Sequence, residues 1–142
     1  MIRIILIFTF LTVNLSHPVW GKIASVIGNP YSGEIYFQVN KDTKNYPASL
    51  TKIMTLYIIF EELRLGNLNL NEKVVFSKYA ISQSPSKLNI NINETITVNQ
   101  AIDALIVKSA NDVAVAIAEK IAGNEQNFVK KMNIYAKQLK LN

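Results

Sequence analysis

Hydrophobic and polar positions divide the chain into stretches of different character. Residues 4–15 are apolar apart from Thr9, Thr12 and Asn14, and Arg3 puts a positive charge ahead of them. Such a run is shorter than the roughly 20 residues a bilayer span requires. It has the length and flanks of a secretory leader, so residues 1–21 are expected to direct export. Val19 and Gly21 are the small residues before a cut ahead of Lys22, although Pro18 and Trp20 crowd that site. The alternative is an uncleaved anchor.

Two β-branched and aromatic runs follow, residues 23–27 and 34–39, separated by the turn sequence Asn29-Pro30-Tyr31-Ser32-Gly33. They predict a β-hairpin. From Ser49 an apolar segment runs to Leu65 with hydrophobic side chains on every face, which predicts a helix buried mid-domain, and Gly66 is its stop. Residues 67–95 are polar, rich in asparagine and interrupted by Pro85. They predict a long irregular loop. Thr97 with Gln100 three residues on is a capping box ahead of a short helix over residues 101–106. After a break at residues 108–112, a helix resumes over residues 113–121 and ends at Gly123. Phe128, Met132, Tyr135 and Leu139 then mark one face of a last amphipathic helix. Residues 22–142 therefore predict an α/β (α+β) fold, an N-terminal hairpin plus a central cluster of helices.

Composition narrows the chemistry more than the architecture. With 49% hydrophobic and 18% charged residues among 142, the chain is composed like one globular domain. It has no cysteine, which excludes disulfides, thiolate metal sites and cysteine nucleophiles. Its one histidine, His17, lies in the leader, so a Ser-His-Asp triad and nearly all zinc enzymes are excluded as well. No metal and no cofactor is expected. The net charge is +5, yet only two cations are arginines and the lysines are scattered apart from Lys130-Lys131. No nucleic-acid partner is expected from that pattern. A lysine-covered surface is the default reading, and it suits an anionic wall or membrane equally well.

Any hydrolytic chemistry must then come from hydroxyls, lysines and carboxylates. Ser49-Leu50-Thr51-Lys52 is an S-x-x-K tetrad, which on a helix places hydroxyl and amine on adjacent turns of one face. A second copy, Ser84-Pro85-Ser86-Lys87, sits in the proline-bearing loop and reads as a solvated turn. For Ser49 the competing role is a helix N-cap; for Lys52 it is a surface lysine. To act as a base near neutral pH, a lysine must fall from about 10.4 to roughly 7–8, a change on the order of 4 kcal/mol. Burial on an apolar helix supplies part of that. Ser109-Ala110-Asn111 lies in the break between two helices, where Ser109, Asn111 and Asp112 also read as caps.

Taken together, Tyr46 to Thr55 around the tetrad, Phe60-Glu61-Glu62-Leu63, Gly66, Ser109-Ala110-Asn111-Asp112 and Met132-Asn133 resemble the D-alanyl-D-alanine carboxypeptidases, the low-molecular-weight penicillin-binding proteins. The resemblance runs from about Lys22 to the last residue. It implies a mixed sheet flanked by helices with the serine helix at the centre, the serine β-lactamase/DD-peptidase-like fold. It implies a serine peptidase of the bacterial periplasm, or of the outer face of the inner membrane, that removes the terminal D-alanine from peptidoglycan stem pentapeptides through an acyl-enzyme and is trapped by β-lactams. By position, Ser49 becomes the nucleophile and Lys52 the base that activates it. Ser109 relays protons to the leaving group, and Asn111 hydrogen-bonds the substrate backbone and orients Lys52.

The departures bear on activity. The family's Lys-Thr-Gly or Lys-Ser-Gly, on a later sheet strand, occurs nowhere in the 142 residues. The expectation is a partial fold in which the later strands are missing, inactive alone unless a second chain supplies them. Asn93 stands where the family usually has glycine, and Asn29 where it commonly has aspartate. The alternatives are a non-catalytic exported fragment or pseudoenzyme that binds wall peptides, and a class A β-lactamase fragment.

Overall fold

The computed structural model describes residues 23–141, so the leader expected at residues 1–21 lies outside the described residues. No helix among the described residues is long and apolar enough to cross a membrane. The chain separates into two units, Met1–Asn45 and Tyr46–Asn142.

The first unit holds the expected hairpin: β1 (Ser25–Gly28) pairs antiparallel with β2 (Ile35–Val39). Its turn is organised by Asn29, whose Oδ1 accepts the backbone N–H groups of Tyr31 at 2.8 Å and Ser32 at 3.2 Å. An aspartate at this position offers the same acceptor to these two N–H groups.

The second unit is helical with one short ribbon. A 3₁₀ turn (Ala48–Leu50) leads into α1 (Thr51–Arg64). β3 (Lys73–Val75) follows, then α2 (Lys78–Ile81), β4 (Thr95–Thr97), α3 (Val98–Val107), α4 (Asn111–Ala122) and α5 (Glu125–Gln138). Gly66 ends α1 as expected, with φ +74, and Asn67 N–H closes the end by donating to Glu62 O at 2.9 Å. Gly123 ends α4 in the same left-handed way. The Thr97–Gln100 capping box is formed in both directions, at 3.1 and 2.9 Å.

Residues 67–95 depart from the loop expectation. β3 pairs antiparallel with β4, Val74 opposite Ile96, and Val74, Phe76 and Ala80 are fully buried. These elements are three or four residues long, and what buries them is the core they share with α3 and α4. Asn93, at φ +64, takes the left-handed backbone for which asparagine is the best substitute for glycine.

Ile59, Ile102, Leu105, Val113 and Ile117 make the centre of the core, with α4 contributing a buried run from Asp112 to Ala118 apart from the half-buried Ala114. A smaller cluster of Ile58, Ala118 and Phe128 docks α5, joined by Met132 and by Tyr57 against Tyr135, ring centroids 5.4 Å apart. Leu139 falls beyond the end of α5 and is exposed, so the predicted stripe holds for its first three members. Glu62 of α1 is buried, ion-paired with Lys131 of α5, and its carboxylate accepts from Asn67 Nδ2 at 3.0 Å. Contrary to a helix buried on all sides, α1 buries the stripe of Thr55, Ile58, Ile59 and Glu62, leaving Ile53 and Phe60 exposed.

Candidate active site

Ser49 does not lie on α1 itself. Pro47 and a left-handed Ala48 (φ +48) turn the chain tightly, and Ser49 sits in the 3₁₀ turn just before the helix. A non-glycine residue in that region costs about 1–2 kcal/mol, and such strain collects where a side chain must be presented in a fixed direction. The capping role is not taken up: no side chain caps either the 3₁₀ turn or α1. Ser49 is exposed.

Lys52, the second residue of α1, is half-buried, and its Nζ donates to Asn111 Oδ1 at 2.7 Å. Among the described residues no carboxylate lies within ion-pairing distance of it. Burial without a counter-ion disfavours the ammonium and holds the pKa of Lys52 below the usual lysine range.

Asn111 is the first residue of α4, whose N-cap is Ala110 and has no side-chain cap. Asn111 instead spends its side chain on the site. Nδ2 donates to Ser84 O at 2.9 Å and, more weakly, to Pro85 O at 3.3 Å, while its backbone N–H donates to Ser86 O at 2.7 Å. Two carbonyls can accept only from the amide nitrogen, so the oxygen must face Lys52. The loop copy of S-x-x-K is therefore more than a solvated turn. Its carbonyls grip Asn111, and Lys87 Nζ folds back onto Ile81 O at 2.9 Å.

Ser109 lies between α3 and α4 with φ +54. Its hydroxyl is buried and makes no hydrogen bond, so it does not cap α4 either. Asp112 also departs from capping. Its carboxylate, with the residue 1% exposed, accepts Leu88 N–H at 3.1 Å, Asn89 N–H at 3.0 Å and Val113 N–H at 2.9 Å. Asp112 and the Ser84–Ser86 carbonyls were not identifiable as site components from the sequence, because their partners are backbone groups of a loop with no periodic signal. The structure thus joins Lys52 to Asn111 directly, sets Ser49 just after the left-handed Ala48 in the turn that leads into α1, and holds Ser109 itself in left-handed backbone two residues before Asn111.

The sequence pattern of the family described as D-alanyl-D-alanine carboxypeptidase matches residues 20–142. The chain belongs to that family. It is 39% identical over 110 residues to D-alanyl-D-alanine carboxypeptidase DacF of Bacillus subtilis, covering 78% of this chain and 28% of that protein. To DacA of Haemophilus influenzae it is 38% identical over 113 residues, covering 78% and 29%. Among solved structures, the D-alanyl-D-alanine carboxypeptidase DacD from Francisella tularensis superposes with a TM-score of 0.79 at 33% identity, covering 96% of this chain and 32% of that one. Penicillin binding protein 5 from Haemophilus influenzae superposes with a TM-score of 0.73 at 37% identity, over 78% of this chain and 33% of that one. The chain spans about 30% of the length of the carboxypeptidases it matches, and its helices and small sheets are part of their fold.

Proposed function

We propose that Ser49 is the nucleophile of a serine D-alanyl-D-alanine carboxypeptidase acting on peptidoglycan stem pentapeptides at the bacterial periplasmic face. Neutral Lys52 takes the Ser49 hydroxyl proton as Oγ bonds to the carbonyl carbon of the penultimate D-alanine. The C–N bond then breaks, and Ser109 passes a proton to the departing D-alanine amine. Water hydrolyses the resulting ester, releasing the shortened peptide and restoring Ser49. A β-lactam enters by the same attack and stays as an ester on Ser49.

The observation that carries this reading is the 2.7 Å bond between Lys52 and Asn111, which links the two motifs and leaves the amine with an acceptor but no carboxylate. General-base assistance of this kind contributes about 10²–10⁴ in rate. Asn111 orients Lys52 in this geometry; a contact from its amide to substrate backbone requires the 3.3 Å bond to Pro85 O to give way.

The 142 residues on their own are expected to turn over little substrate. They contain no Lys-Thr-Gly, which in the resemblance supplies an oxyanion donor and the edge along which substrate lies, and one such donor alone is worth about 10²–10³. Turnover in this reading requires that strand, supplied from outside these 142 residues, for example by a second chain. The test is D-alanine release from a peptide ending in D-Ala-D-Ala, by this chain alone and fused ahead of the remaining segment of a carboxypeptidase relative. Release by the fusion, abolished by Ser49→Ala, supports the reading; a folded fusion with no Ser49-dependent release overturns it.

A further inference from the structure

A buried carboxylate without a cation is costly unless hydrogen bonds replace its water. Asp112 is buried and, among the described residues, has no ion-pair partner and is compensated by backbone N–H groups alone. Two of these, from Leu88 and Asn89, are consecutive and reach different oxygens of the same carboxylate. Consecutive N–H groups converge on an anion when the backbone passes into the left-handed region, and Asn89 has φ +61. The carboxylate thereby fastens this loop to the first turn of α4. The same loop, two to five residues earlier, supplies the three carbonyls that hold Asn111.

We propose that Asp112 is a positioning residue of the site: by pinning Leu88 and Asn89 it fixes the Ser84–Ser86 carbonyls, which in turn fix the Asn111 amide with its oxygen toward Lys52. Asp112 touches neither Lys52 nor Ser49 in this chain of contacts; its effect passes through Asn111. The other ionisable group around the amine is Glu125 of α5, which shares a small cavity with Lys52 and accepts the Tyr79 hydroxyl at 2.6 Å. The consequence for catalysis rests on Lys52 being the base, but the positioning can be read on the amine itself, without turnover.

The experiment measures, across pH, the rate at which acetic anhydride modifies Lys52 in the full chain, located by peptide mass spectrometry and normalised to the exposed Lys73 and Lys108. Loss of a fixed acceptor both favours the neutral amine and opens it to reagent, so the two effects act in one direction. Asp112→Asn puts an amide N–H against one of the loop N–H groups and is expected to raise the Lys52 rate at pH 8 by about threefold or more. In an Asn111→Ala background, which itself raises the rate, Asp112→Asn is expected to add nothing. Asn89→Ala keeps the carboxylate but penalises the left-handed backbone, and is expected to act in the same direction more weakly. If Asp112→Asn unfolds the chain, so that all lysines react alike, Asn89→Ala decides alone. An equal rise in both backgrounds, or no rise with the folded variants, overturns the inference. If the coupling is absent while a penicillin still forms an ester on Ser49 of the fusion, the positioning has failed and the catalytic reading has not.

Discussion

Lys52 on α1 donates its Nζ proton to Asn111 on α4 at 2.7 Å across 59 residues of sequence, and among the described residues no carboxylate is paired with either side chain. The ammonium is therefore held by a neutral acceptor in a half-buried place, and burial lowers its pKa from the ordinary 10.5. A folded-state pKa below the unfolded value penalises the native state fully at lower pH. The penalty fades as pH rises through the folded value toward 10.5. The stability of the native chain relative to Lys52→Met, read from urea midpoints, is expected to climb with pH over that window. A difference that stays flat up to pH 10.5 contradicts it.

Ser109 combines left-handed backbone with a buried hydroxyl that has no partner. Both features cost stability, and glycine removes both, less the greater freedom it gives the unfolded chain. Ser109→Gly is expected to stabilise the chain by about 1 kcal/mol in urea unfolding. In the active fusion the same change is expected to slow D-alanine release, since the hydroxyl is the proposed proton relay. A variant that is less stable, or as active as the native fusion, counts against that assignment.

Glu62 ties α1 to α5. Burial pushes its pKa up, but the hydrogen bonds from Lys131 and Asn67 outweigh this and leave it below the usual 4.5. The ionised form is thus favoured by folding, so its contribution is present above pH 4.5 and is lost as pH falls through the lowered folded value. Glu62→Gln is expected to cost about 1–3 kcal/mol at pH 7, softened because Lys131 is partly exposed, and the cost is expected to shrink in acid. Chemical unfolding at pH 7 and at pH 3 measures it; equal losses at both contradict the ion pair's role.

Local chemistry was readable where it decides structure locally. The Asn29 turn, the Thr97–Gln100 box and the Gly66 stop each need only a few neighbouring residues, and each is formed as expected. β3 and α2 were hidden because Val74, Phe76 and Ala80 share their core with Ile96 and with residues of α3 and α4, which no window over residues 67–95 contains. The site divides the same way. Ser49, Lys52, Ser109 and Asn111 could be named from one tetrad, one triplet and a resemblance, whereas the competing account, helix capping, is decided only by the structure, in which neither α1 nor α4 has a side-chain cap. Asp112 and the Ser84–Ser86 carbonyls act through backbone groups, and a sequence records side chains only.

The central claim is that Ser49 attacks and Lys52 activates it. Intact mass of the fusion after incubation with a penicillin, with peptide mapping and the Ser49→Ala and Lys52→Ala variants alongside, tests it most directly. The expected result is one covalent adduct at Ser49, absent in Ser49→Ala and formed about 10²–10⁴ more slowly in Lys52→Ala. An adduct at another residue, or one formed at the native rate without Lys52, contradicts the account.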